Sequence, residues 1–115
     1  MVMEMIIQLL FHKFLFMGDA GIDVEEDLIG KYNLQDIDVL KVGHHGSKTS
    51  SGEEFIESIK PKYSIVSVGK NNRYGHPNGE VLDNLKDSKI YRTDKDGSIM
   101  FKIKNNKLEI EICLQ

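Results

Sequence analysis

Asp38-Val-Leu-Lys-Val-Gly-His-His-Gly-Ser47 decides the fold. Val39 to Val42 is a run of branched apolar residues and reads as a buried strand. It runs directly into Gly43-His44-His45-Gly46, two adjacent imidazoles between two glycines. A buried strand with polar chemistry at its tip is the pattern of an α/β protein whose site lies at a sheet edge.

Working back from this stretch, Met5 to Phe11 is dense in branched and aromatic residues and is expected to be a strand. His12-Lys13 is expected to turn the chain, and Phe14 to Met17 to form a second, fully buried strand. That strand stops at Gly18-Asp19-Ala20-Gly21, where two glycines flank a carboxylate on the sheet rim. Asp23 is expected to cap a helix with Glu26 as its capping-box partner. Val24, Leu28 and Tyr32 share one face of that helix.

Working forward, Ser47 to Ser51 is a small, polar loop. Ser51 is expected to open a second helix, with Glu54 in the capping-box position and Pro61 ending it. Tyr63 to Val68 is another buried strand, followed by the polar loop Gly69-Lys-Asn-Asn-Arg-Tyr-Gly-His-Pro77. Asn78 or Gly79 starts a third helix. Lys89 to Arg92 is a short strand. Ser98–Lys104 and Leu108–Ile112 alternate cleanly about Asn105-Asn106, the pattern of an antiparallel hairpin with one wet face. The alternation of strand and helix in the middle predicts an α/β fold with helices packed on a mixed sheet. If the central strands run side by side with one polarity, the loops carrying Asp19, His44 and His45, and His76 emerge at one edge.

The chain has 115 residues, of which 40% are hydrophobic and 29% charged, enough for one small domain spanning residues 1–115. Its net charge of -3 excludes a global basic field, so any contact with a polyanion has to be local. The single cysteine, Cys113, cannot form an internal disulfide and reads as a structural thiol on the last strand. The apolar stretch from Met1 to Met17 is broken by Glu4, Gln8, His12 and Lys13, and falls short of the roughly 18–20 apolar residues of a spanning helix.

Each polar residue has two readings. Asp19 between glycines is a turn residue or a rim carboxylate. His44 and His45 are hydrogen-bonded core residues, or donors that with Asp19 would suit zinc, manganese or iron. Arg73 and His76 belong to a rigid turn before a helix, or to a loop that meets a phosphate at that helix N-terminus. Ser47, Lys48 and Thr49 could do the same at the second helix.

Taken together, Phe14 to Asp19, Asp38 to Lys48, Ser67 to Pro77 and Ile90 to Asp94 with Gly97 resemble the metallo-β-lactamase superfamily. Within it they resemble the C-terminal domain of ComEC-type competence proteins, membrane channels for DNA uptake. The resemblance runs from about residue 5 to the end and implies the C-terminal half of a four-layer αββα sandwich. It implies that Asp19 matches a metal-bridging carboxylate and that His44, with His45 as the alternative, matches a late histidine ligand. The implied cofactor is zinc or manganese. The implied chemistry is metal-activated hydrolysis of a phosphodiester, suited to degrading one DNA strand during uptake. Ser47, Lys48, Arg73 and His76 would border the substrate.

The His-x-His-x-Asp-His signature of the superfamily's N-terminal half has no counterpart in this sequence. The expectation is therefore a half-domain, fragment or orphan, that binds metal weakly and is inactive alone. It would be soluble, tied to a membrane only through other parts of a parent bacterial protein. The missing half is expected to leave a sheet face bare, and a homodimer through that face could imitate the whole sandwich. Two alternatives stand beside this reading: a non-catalytic nucleic-acid-binding or assembly module, and a small hydrolase whose metal site is completed across a homodimer.

Overall fold

The computed structural model describes residues 5–9, 12–72 and 74–113. Strands β1 (Met5–Leu9) and β2 (His12–Phe16) open the chain, followed by helix α1 (Ile22–Lys31) and strand β3 (Val39–Lys41). Helix α2 (Glu53–Ile59), strand β4 (Tyr63–Val66), helix α3 (Gly79–Asn84) and strand β5 (Lys89–Arg92) continue the alternation. A single-turn helix α4 (Thr93–Asp96) then leads into the hairpin β6 (Ser98–Lys104) and β7 (Lys107–Cys113).

The main sheet has the order β1-β2-β3-β4-β5. β1 is antiparallel to β2, and β2, β3, β4 and β5 are parallel neighbours. The sheet is therefore mixed, as the sequence predicts. The parallel set sends its loops to one edge.

Strand alternation divides the side chains between two faces. Leu15, Leu40, Ser64 and Ile90 stand in one cross-strand row. On that face Leu15, Leu40 and Val66 pack with Phe55, Ile56, Ile59, Val81 and Leu85 of α2 and α3, and with Leu28 of α1. All three helices thus cover one face. Ser64 is tolerated in this layer because its hydroxyl shares a 2.7 Å hydrogen bond with Ser88.

The other face is not bare. Phe14, Val39, Ile65 and Tyr91 form a second cluster, closed by Ile99, Phe101, Ile103, Leu108 and Ile110 of the hairpin. Phe14 meets Phe101 edge-on at 6.1 Å between ring centres. The hairpin thus occupies much of the face expected to lie open, because its apolar stripe needs the same cover that the sheet does. The layers are helices, sheet and hairpin. Asn105 and Asn106 turn the hairpin with positive φ at both positions, as a two-residue loop requires.

Several boundaries differ from expectation. His12 and Lys13 belong to β2 rather than to a turn. The expected end of the first strand at Leu10 and Phe11 lies outside the described residues. The Asp94–Gly97 turn includes one helical turn, α4. Cys113 lies on the last strand but is exposed. Among the described residues no helix is long and apolar enough to cross a membrane.

The helix starts also differ. α1 begins after Gly21 and α2 after Gly52, with no side-chain cap from Asp23 or Ser51. The orphan amides at the start of α2 are instead taken by Glu25 of α1. Its carboxylate accepts from the Ser51 and Gly52 N–H groups. Glu25 is 1% exposed, and burial raises its pKa against the opposing pull of those two hydrogen bonds. One carboxylate thus fixes α1 to α2. Glu25→Ala leaves two amides unpaired beneath the surface and is expected to cost about 1–3 kcal/mol in a denaturant melt. Glu25→Gln, which keeps one acceptor oxygen, is expected to cost less.

Candidate functional site

The three expected loops do meet at one edge. Val42 donates its N–H to Ile65 O at 2.9 Å, and Met17 donates to Lys41 O at 3.3 Å, extending the sheet ladder to the strand tips. Beyond the tips, the His44 N–H donates to Gly18 O at 2.9 Å, and the Asn78 N–H donates to Gly46 O at 2.8 Å. The Asp19 loop, the histidine turn and the His76 loop are therefore joined by backbone hydrogen bonds. Because β2, β3 and β4 are parallel and adjacent, this convergence follows from topology.

The turn itself is unusual. His44 has φ 50 and His45 has φ 53, and Gly46 follows at φ 84. Two consecutive non-glycine residues in the left-handed region carry backbone strain, of order 1–3 kcal/mol each. Such strain persists only where surroundings over-determine it. Here they do. Gly43 packs against Ala20 O, Met17 Cβ and Gly18 O. The buried Ser50 hydroxyl donates to Gly43 O at 3.1 Å. Gly46 lies against Pro77, with its peptide to His76 in the cis form.

The two histidines have different surroundings. His45 is exposed, and its Nδ1 lies 2.6 Å from Ser67 O. A carbonyl can only accept, so Nδ1 carries the proton and the neutral ring leaves Nε2 as a lone-pair donor. Histidines that bind metals are commonly oriented in this way. His44 is half-buried and lies within electrostatic reach of Glu25. Asp19 is exposed in its turn beside Gly18.

Asp19, His44 and His45 come from two hydrogen-bonded loops, yet among the described residues no three His, Cys, Asp or Glu side chains gather closely enough to hold an ion. A catalytic zinc site needs about three protein ligands and an open position. The residues present therefore do not make a complete shell.

The substrate-facing candidates are distributed less favourably. Just before α2 the Ser51 and Gly52 amides are already taken by the Glu25 carboxylate. Ser47 and Thr49 share a 3.1 Å hydroxyl hydrogen bond, which closes the loop on itself. Lys48 is exposed on a cavity of about 380 Å³ that Glu53, Glu80 and Asp83 also line. Three carboxylates around one ammonium disfavour a polyanion there. His76 is half-buried, and Asn72 brackets it, accepting from its N–H at 2.8 Å and donating to its carbonyl at 2.9 Å. Tyr74 lies over its ring at 5.6 Å. Arg73 lies outside the described residues. At α3, Asn78 caps the helix through Glu80 N–H.

Four residues carry roles that motif reading misses. Glu25 falls three and four positions before Leu28 and Ile29, so its place on the apolar stripe of α1 was legible. Thr93 is not signalled by any pattern, yet its hydroxyl donates to Val68 O at 3.0 Å and accepts from Val68 N–H at 2.8 Å, tying β4 to α4. Arg92 and Asp94 form a two-pronged ion pair at 3.0 and 2.7 Å, with side chains 21% and 11% exposed.

Two outcomes check this geometry. A Cβ on Gly46 would stand 2.5 Å from Pro77 Cβ, in a backbone conformation that already disfavours side chains. Gly46→Ala is therefore expected to perturb the amide resonances of the Asp19, His44 and His76 loops together in an NMR correlation spectrum. The Arg92 guanidinium holds the Asp94 carboxyl below its ordinary value of 3.8. Its stabilisation is present above that value and is lost as pH falls through the depressed folded-state value. Asp94→Asn is expected to lower stability at neutral pH and to flatten the acid limb of a pH-dependent thermal melt.

Comparison with known proteins agrees with this geometry. The family model for the metallo-beta-lactamase superfamily matches residues 3–70. ComE operon protein 3 of Bacillus subtilis (strain 168) is 47% identical over 90 residues, covering 76% of this chain and 12% of that protein. Competence protein ComA of Neisseria gonorrhoeae is 41% identical over 88 residues, covering 73% of this chain and 13% of that protein. Recombination protein 2 of Haemophilus influenzae is 34% identical over 99 residues, covering 84% of this chain and 12% of that protein. The chain thus spans about an eighth of the length of these relatives. With more than half of its residues matched by the family model, the chain belongs to the metallo-β-lactamase superfamily.

Proposed function

We propose that the chain supplies one side of a metal-dependent phosphodiester-hydrolysing site in a DNA-uptake protein of the competence class. Asp19 and His44, with His45 beside them, are the ion-facing residues of this reading, and DNA is the substrate. The observation that carries it is the union of the Asp19 loop and the histidine turn through the His44 N–H to Gly18 O hydrogen bond. It puts a carboxylate loop and two imidazoles at the tips of adjacent parallel strands. The competence names of two relatives support the uptake setting.

Because the donor set is incomplete, no hydrolytic step is assigned to the chain alone. The His-x-His-x-Asp-His set would come from another segment of the same domain. Any tie to a membrane would likewise come through other segments. What this chain contributes is a rigid rim. The left-handed turn aims the imidazoles, Ser67 O orients the ring of His45, and Asp19 adds negative charge for a cation.

Equilibrium dialysis with zinc and with manganese tests the reading. Binding by the chain alone is expected to be weak and below one ion per chain. Asp19→Ala and His44→Ala are each expected to weaken it further, by about tenfold or more, in line with the loss of a ligand. No cleavage of linear DNA above the metal-only blank is expected. One tightly held ion per chain, cleavage of DNA and a dimeric mass by light scattering would favour the homodimer that completes its own site. Phe16, 37% exposed, marks the uncovered end of the sheet face where a second copy would pack.

A further inference from the structure

Lys41 is the last residue of β3, three positions before His44. Strand register puts it on the hairpin face, in one row with Phe16, Ile65 and Tyr91. Ile65 and Tyr91 are buried, while Phe16, its neighbour on β2, is 37% exposed. Lys41 is half-buried in a row of largely apolar residues at the last position of β3. Among the described residues the ion pairs engage Lys31, Lys62, Arg92 and Lys102, and none engages Lys41. Burial pushes the ammonium below its ordinary value. An ammonium withdrawn from water without an anion is unfavourable, and an incoming anion relieves that cost.

Lys48, the cation that motif reading favours, has the opposite surroundings: open to solvent and shared with Glu53, Glu80 and Asp83. At this end of the sheet Lys41 is half-buried, whereas Lys48 and Lys70 are exposed. We propose that Lys41 holds a backbone phosphate of a nucleic-acid strand lying across the tips of β2 and β3, and so positions the substrate beside the histidine turn. The proposal rests on the reading of this edge as facing a nucleic acid. It does not need a metal or a hydrolytic step. Oxygens of a phosphodiester would accept from the ammonium, and the sugar-phosphate chain would run past the exposed Phe16 on β2.

The test is fluorescence anisotropy with a labelled single-stranded DNA oligonucleotide of about twenty nucleotides, in EDTA, over a series of salt concentrations. Working in EDTA separates this outcome from any failure of metal-dependent hydrolysis. The wild-type chain is expected to bind with a negative slope of log affinity against log salt. Lys41→Gln and Lys41→Met are expected to weaken binding about tenfold and to reduce the slope by about 0.7, one phosphate contact on a single strand. Lys41→Arg is expected to retain both, and Lys48→Gln to stay within about twofold of the wild type. Thermal melts establish that the variants are folded, and the apolar Lys41→Met keeps the packing of the row should Lys41→Gln disturb it. A wild-type chain that does not bind, or a folded Lys41→Met that binds with unchanged affinity and slope, overturns the proposal. So does a Lys41 substitution that changes only the mass in solution, which would assign the anion to a protein carboxylate.

Discussion

The constraint on which the rest depends is the left-handed turn at His44, His45 and Gly46. A strand of three residues, β3, delivers the chain to this point. Two histidines then adopt a conformation that most residues avoid. That conformation survives because each neighbouring loop contributes to holding it. Gly18 O takes the His44 amide, Ser67 O takes the His45 ring, Gly46 O takes the Asn78 amide, and Pro77 packs on Gly46. Loosening any of these would let the turn relax toward ordinary backbone and would change where both imidazoles stand.

The helical layer supports the turn from behind. Glu25 joins α1 to the start of α2, and Ser50, one residue before, reaches back to Gly43 O. The Ile22 N–H donates to Thr49 O, so the loop between the turn and α2 is closed at both ends. Thr93 does the equivalent work beside β4. The hairpin packs on the opposite face, against Phe14, Val39, Ile65 and Tyr91, while Phe16 stays 37% exposed and Lys41 half-buried near the strand tips. Chemistry and exposure coincide there. Among the described residues, the incomplete ligand set and a half-buried lysine outside the ion pairs lie toward the same edge.

Much of the fold was legible in the residues. The apolar runs at Phe14, Val39 and Tyr63 mark the parallel strands, although the run at Phe14 is not fully buried, since Phe16 is 37% exposed. The glycines after them mark where backbones approach closely, and the alternation in Ser98–Ile112 fixes the hairpin. Three features were not legible, for physical reasons. Capping-box spacing at Asp23 and Ser51 is a local signal, and a tertiary carboxylate, Glu25, displaced it at α2. The cover given to the second sheet face depends on where the hairpin folds back, which no local pattern encodes. The charge environment of Lys41 and Lys48 depends on neighbours distant in sequence, which motif proximity does not encode. Candidate site residues were readable as types at strand tips. Their mutual placement depended on strand order.

The central claim is that the Asp19 loop and the histidine turn form one ion-facing edge. Titrating the isotopically labelled chain with manganese and following paramagnetic broadening of its amide resonances addresses that claim directly. The account predicts that broadening starts at Gly18–Ala20 and Gly43–Ser47 together, while Lys60–Lys62 at the opposite edge of the sheet stays sharp. Broadening centred on Glu53, Glu80 and Asp83, or spread evenly over the surface carboxylates, would contradict it.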